Sequence, residues 1–257
     1  MKLQKLEQFL KNYWGKDFLT KWQKKDDHGA NGLQVGGREN IKKIAFGVSC
    51  NADFLHHALH DEVDTCIFHH GLDTRFPQML MPEYLRKRFK LILENNLNIF
   101  GYHGAMDAHP KHGHNTLILK ELGVKILGPV MDEWGYYGVL PSPRKLIAIG
   151  NQCRRLFDHE VFVEGNPDRK IKRVAVCSGG GIPGREEVVN FVTKKIDLYI
   201  TGVISESRPH MFSEMGMAYF ACGHYATEKI GVLELEKQIK KTFPEIKTVF
   251  IDINNPI

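Results

Sequence analysis

Apolar residues along this chain gather in short runs, and the stretches between them carry apolar positions at helical spacing. Residues 43–49, 63–68 and 97–101 read as strands, with helices over 52–61 and 83–96 between them. The second half repeats the order: strands at 173–177, 196–201 and 217–221 alternate with helices at 185–195 and 209–216. Such alternation predicts an α/β protein of two similar lobes with mixed, largely parallel sheets, whose ligands lie outside the strands' carboxyl ends. Residues 125–170 have no counterpart in this scheme and carry Gly128-Pro129, Pro141-Ser142-Pro143 and Gly165-Asn166-Pro167-Asp168. These turn signals place the join near the start of that region, giving a first lobe over 1–128 and a second over 129–257. The C-terminal strand is a candidate to pack on the first lobe.

Composition narrows the class. At 257 residues and 42% hydrophobic content the chain can bury a substantial core. A formal charge of +5, spread over scattered pairs such as Lys24-Lys25 and Lys240-Lys241, forms no basic stripe and favours a small anionic ligand over a nucleic-acid groove. The five cysteines share no CxxC spacing and read as buried thiols of a reducing, cytoplasmic compartment. The N-terminal MKLQKLEQFLKNYW is an amphipathic helix pattern interrupted by charges, unlike a signal peptide, and no apolar stretch is long enough to span a bilayer.

Candidate chemistry collects at the ends of the apolar runs. His103 and Asp107 follow one strand, His224 and Glu228 follow another, and in both pairs the spacing stacks an imidazole and a carboxylate on one helical face. His69 and His70 end a third run. Imidazole and carboxylate together suit a divalent transition metal, and carboxylates can bridge a pair of ions that hold a hydroxide ready for hydrolysis. Neighbours on a regular strand point to opposite faces, so His69 and His70 share a centre only if the strand has ended, with Gly71 permitting the turn. Each histidine alone reads more simply as a hydrogen-bonded structural residue. The coincidence of four histidines and two carboxylates at matching positions of two similar halves favours a metal centre.

Other features have plainer readings. His109, His112 and His114 lie in a Pro- and Gly-containing stretch; histidines at such spacing can bind metal, but the stretch reads more simply as a solvated loop. His56, His57 and His60 fall on a helix as surface or lobe-contact residues, and His28 sits in an early loop. The stretch 177–184, Cys-Ser-Gly-Gly-Gly-Ile-Pro-Gly, is either a phosphate or substrate-edge loop or a turn that lets the next helix approach the sheet. Gly29 to Gly37 reads as a turn into an extended segment. Glu206 is placed either as a proton shuttle or as an exposed helix cap.

The motifs Asn31-Gly32-Leu33-Gln34-Val35, Phe68-His69-His70-Gly71, His103 through Pro110, Ser178-Gly179-Gly180-Gly181, Ile200-Thr201-Gly202 through Ser205-Glu206, Gly223 through Glu228 and Phe250-Ile251-Asp252-Ile253 resemble the YbgI-like, or NIF-three-like, dinuclear-metal proteins. That family is often labelled GTP cyclohydrolase type 2-like, and the resemblance runs nearly end to end. It implies two α/β lobes with the metals in the cleft between them and assembly into a toroidal hexamer. It further implies that His69, His70, Asp107, His224 and Glu228 are the metal ligands, with His103 lining the site. Where many relatives continue with an aromatic residue after the doubled histidine, this chain has Asp73 and Arg75, which would make the cleft mouth more polar.

The expected function is therefore a cytoplasmic, metal-dependent hydrolase with two divalent ions per chain (zinc, iron or manganese). It acts on a nucleotide-like or other small anionic substrate, and His103 or Glu206 moves protons. The competing expectation is a metal-holding ring that serves as a binding scaffold or as a DNA-associated clamp, with little turnover of its own.

Overall fold

The strand and helix order of the sequence is realised twice. The computed structural model describes residues 1–27, 31–75, 80–253 and 255. It divides into one unit of Met1–Met106 with Val232–Asn254 and a second over Asp107–Gly231.

In the first unit, helices α1 (Leu3–Trp14) and α2 (Lys16–Lys25) precede β1 (Asn31–Val35). Strands β2 (Lys43–Ser49), β3 (Thr65–His70) and β4 (Asn98–Tyr102) follow, connected by α3 (Ala52–His60) and α4 (Glu83–Glu94). Asn51 caps α3, its side chain accepting from Phe54 N at 2.8 Å. The β2, β3 and β4 strands pair in parallel, β1 lies antiparallel on β4, and the closing strand β11 (Lys247–Phe250) lies parallel on β2. Ala45, Cys66, Phe68 and Ile99 from this sheet pack with Phe54, Leu55 and Ile92 of the crossover helices.

The second unit holds α6 (His114–Glu121), β5 (Lys125–Val130), β6 (Gly135–Lys145), α7 (Leu146–Phe157), β7 (Phe162–Glu164) and β8 (Lys170–Cys177). It continues with α8 (Arg185–Thr193), β9 (Leu198–Thr201), α9 (Ser207–Glu214) and β10 (Ala218–Ala221). Its sheet runs β5-β6-β8-β9-β10-β7, parallel from β8 to β10 and antiparallel at both flanks. Alternate residues enter different cores: Val174 and Val176 of β8 join one cluster, Ala175 and Cys177 the other. Both faces of this sheet are thus covered, which is why its central strands read as unbroken apolar runs.

The expected single join at 128/129 is not where the structure divides. The divisions fall at 106/107, within α5 (Gly104–Ala108), and at 231/232, within α10 (His224–Thr242). Asp107 accordingly belongs to the second unit, and β11 pairs with β2 from Lys247↔Lys43 to Phe250↔Phe46. Of the prolines that signal turns, Pro167 does lie in a turn, whereas the other three lie inside strands. Pro129 is on the edge strand β5, and Pro141 and Pro143 fall where the β6–β8 register shifts between Val139 and Arg144. Proline lacks the N–H a ladder needs, so edges and register shifts are the places in a sheet that accept it. Among the described residues no helix is long and apolar enough to cross a membrane.

Candidate metal centre

In the first unit, β3 and β4 deliver three imidazoles. His69 is fully buried and His70 partly so; their ring centroids are 4.3 Å apart, and His103 stands 5.0 Å from His69 and 5.4 Å from His70. Each of the three offers a ligand atom within 4.8 Å of the others.

The strand has not ended at the doubled histidine, contrary to the sequence expectation. β3 includes His70, which pairs with Ser49, whereas its pairing with β4 stops at Phe68↔Gly101. The strand is released on one side only, and adjacent residues can there bring their rings together. Gly71 is not a left-handed turn residue; a methyl group at its Cα would run into the Gln34 carboxamide.

The Nδ1 partners fix which ring nitrogen can act as a ligand. His69 Nδ1 lies 3.2 Å from the Tyr102 carbonyl oxygen, and His103 Nδ1 lies 3.0 Å from Asp26 Oδ2. A carbonyl or carboxylate only accepts, so both Nδ1 atoms carry a proton, and in the neutral rings Nε2 keeps the lone pair. His70 Nδ1 meets the Ser49 hydroxyl at 3.2 Å, which serves either tautomer.

In the second unit, His224 and Glu228 occupy successive turns of α10, with Nε2 and Oε1 3.1 Å apart. That is close to the separation of about 3.3 Å that two ligand atoms at zinc-like bond lengths adopt around one ion. Glu228 is 3% exposed and Asp107 is 7% exposed. Ser178 Oγ donates to Asp107 Oδ1 at 3.4 Å. Asn115 ties the same place together, donating to the Asp107 carbonyl at 3.1 Å and accepting from Ser178 N at 2.7 Å. Burial, the Asp107 carboxylate and then that of Glu228 push the Cys177 thiol well up, only partly offset by a hydrogen bond with Tyr199.

The glycine-rich stretch after β8 packs closely against the first turns of α10. Gly179 has φ +57°, and a methyl group there would meet Glu228 Oε1 and His224 Nε2. Its amide donates to Thr227 Oγ1 at 3.0 Å. The α8 helix that follows has Glu186 and Glu187 in its first turn, which opposes holding a phosphate there.

Of the histidines at 109–114, His112 is partly exposed in a turn, but the other two are not solvated. His109 and His114 are buried. His109 Nδ1 accepts from Lys111 N and His112 N, and His114 Nδ1 accepts from Gly231 N at 3.1 Å. These acceptances place the proton on Nε2, so His109 and His114 present N–H donors rather than metal-binding lone pairs. His114 and Asp107 bring ligand-type atoms within 4.8 Å, an arrangement that suits a donor holding a carboxylate better than two ligands on one ion.

Glu206 is exposed at the N-cap of α9 and its side chain makes no cap hydrogen bond. His56, His57 and His60 are exposed on α3. Asp73 and Arg75 pair with each other at the surface, Nη2 to Oδ2 at 2.7 Å. His28, Gly29, Ala30 and Phe76 lie outside the described residues. Sequence reasoning missed Asp26 and the clamp made by Gln34, and it read His114 as a loop residue. The signals were present, in Asn31-Gly32-Leu33-Gln34 and in the glycines at 71 and 104, but each takes its meaning from a neighbour distant in the chain.

Two α/β units that carry histidines and carboxylates at their strand ends define a family. The model of the Duf34/NIF3 (NGG1p interacting factor 3) family matches residues 1–256, and the chain belongs to that family. A GTP cyclohydrolase 1 type 2 homolog of Buchnera aphidicola subsp. Schizaphis graminum is 34% identical over 227 residues, 88% of this chain and 90% of its own. Among solved structures, the protein YbgI, described as of unknown function, matches with a TM-score of 0.86 at 29% identity over 100% of both chains. A Thermus thermophilus protein matches with a TM-score of 0.82 at 27% identity, again over 100% of both.

Proposed function

We propose that this chain is a metal-dependent hydrolase acting on a nucleotide-like or other small anionic substrate, with two divalent ions held by His69, His70, Asp107, His224 and Glu228. The observation that carries this reading is the orientation of the imidazoles. His69 and His103 commit Nδ1 to the protein and keep Nε2 for the space they share with His70, while His109 and His114 do the reverse. Nitrogen and carboxylate donors of this kind fit zinc, iron or manganese, and the His224–Glu228 separation of 3.1 Å fits a shared ion.

Divalent ions held by these residues would supply Lewis acidity and would lower the pKa of a coordinated water to about 7. The residues do the rest. Asp107 and Glu228 offset cationic charge, and His103 accepts a proton at Nε2 from the attacking water and returns it to the leaving group. Glu206, exposed on α9, has no part in this scheme. The name borne by the relatives favours a nucleotide as substrate; the assembly proposed from the motif resemblance is a toroidal hexamer, and the compartment proposed from five buried free thiols is the cytoplasm.

Elemental analysis of protein purified without added metal, followed by formate and phosphate release from a nucleotide panel, tests the proposal. Two ions per chain and metal-dependent release are expected, and Glu228→Gln should lose that release. Equal release by wild type and Glu228→Gln at equal metal content overturns it. Salt-sensitive retention of DNA without turnover, drawing on the net charge of +5, would favour the ring-scaffold reading instead.

A further inference from the structure

Asp26 follows α2, its amide closing the helix on Trp22 O at 2.9 Å, and its side chain is fully buried. A carboxylate in such a place is costly unless donors saturate it. Gly104 N donates to Oδ2 at 2.7 Å and Asn31 Nδ2 at 3.0 Å, and His103 Nδ1 lies 3.1 Å from Oδ1 and 3.0 Å from Oδ2. Asn31 is itself held, its Oδ1 accepting from Ala105 N at 2.9 Å. The backbone comes this close only because residue 104 is glycine: a methyl group there would strike Trp22 and Asp26.

We propose that Asp26 is a positioning residue for His103: it fixes the Nδ1–H tautomer and turns the Nε2 lone pair toward His69 and His70. A carboxylate serving only to cap the turn at 103–105 would find its donors in Gly104 N and Asn31 without the imidazole. Here the ring also stacks on His69, with planes 27° apart, and His69, His70 and His103 each offer one ligand atom within 4.8 Å of the others; with Nδ1 committed to Asp26, Nε2 is the ligand atom His103 has for that group. With the opposite tautomer, His103 would present an N–H there and could neither accept a proton nor bind a cation. The dyad stands on its own geometry; only the use made of Nε2 rests on the hydrolase reading.

The test is long-range proton–nitrogen correlation NMR on metal-free protein carrying 15N-labelled histidine rings, with His103 assigned by comparison with His103→Gln. The wild type should show His103 as Nδ1–H. Asp26→Asn, whose amide can donate to Nδ1, should shift His103 to Nε2–H. A wild-type Nε2–H form, or an Asp26→Asn protein that keeps Nδ1–H, overturns the proposal. Should Asp26→Asn fail to fold, the wild-type spectrum still decides. Where release from the nucleotide panel is found, Asp26→Asn should lower kcat about a hundredfold or more at unchanged KM and metal content. Loss of metal with kcat per ion unchanged would overturn the assignment. Absence of all turnover would remove the hydrolase reading while leaving the spectral result to judge the dyad.

Discussion

The side-chain amide of Gln34 clamps the backbone of Leu72, with Nε2 donating to the Leu72 carbonyl at 2.7 Å and Oε1 accepting from its amide at 2.8 Å. Gln34 lies on β1 and Leu72 is two residues beyond His70, so the clamp fixes the chain where it leaves the doubled histidine. Gln34→Ala should cost about 1–3 kcal/mol, because it strands a donor and an acceptor that are shielded from water. It should also weaken metal binding through His70. Urea denaturation and zinc titration check both, and an unchanged midpoint with unchanged affinity contradicts the role given to the clamp.

Gly179 separates two effects that glycine substitution usually mixes. Gly179→Ala meets both a left-handed φ of +57° and the side chains of Glu228 and His224. Gly123→Ala meets only the φ of +73°, with nothing within 4 Å of the added methyl. The Gly123 variant should lose about 1 kcal/mol, and the Gly179 variant clearly more, together with bound metal. Parallel denaturation curves and metal analysis of the two proteins read the difference.

The imidazole orientations divide the histidines into two groups with different phenotypes. His69→Ala should abolish metal binding. His114→Ala should leave the buried Gly231 amide without its acceptor, at a cost of about 1–3 kcal/mol, while retaining most of the metal. If the His114 variant loses metal as completely as the His69 variant, the tautomer argument fails.

Asp26 gives a pH dependence of stability with a definite sign. Burial alone would raise its carboxyl, but the hydrogen bonds from His103, Gly104 N and Asn31 outweigh it and hold the group well below its ordinary value of 3.8. A depressed folded-state value means that the contribution to stability is complete above the unfolded value and is lost as pH falls below about 4. Metal-free Asp26→Asn should therefore show a shallower decline of stability between about pH 5 and pH 3 than wild type, by about the one titrating group removed. Identical acid limbs in the two proteins would contradict the assignment.

All five cysteines are free and buried. Burial pushes the Cys50 thiol up to about 12 and those of Cys66, Cys177 and Cys222 higher than their ordinary value. Thiolate is the reactive form, so a disulfide reagent should leave the native protein unlabelled at neutral pH and modify it only as fast as it opens. Rapid labelling without denaturant would show a thiol more accessible than this fold allows.

Much of the fold was legible because its central strands are buried and written as apolar runs. The order from β2 to β4 and from β8 to β10 was read with boundaries shifted by only a few residues. The region 125–170 was misjudged because Pro129, Pro141 and Pro143 signal a break locally, whereas sheet edges and register shifts tolerate them. The candidate ligands were named from strand ends, but the neighbouring histidines at 109–114 could not be sorted from them. A histidine's role depends on what holds Nδ1, and that partner is Tyr102 for His69, Asp26 for His103 and Gly231 for His114.

By itself the sequence determined the repeated strand and helix order, the placing of imidazoles and carboxylates at strand ends, and membership of one family. Periodicity and spacing are local properties, set by which face of a strand or helix a residue occupies. Only the tertiary structure decided that β11 joins β2, that Asp107 belongs to the second unit, and that Asp26 holds His103 across 77 positions of chain. Those outcomes follow from the need to satisfy buried polar groups wherever folding brings a partner, and no local pattern encodes where that partner will come from.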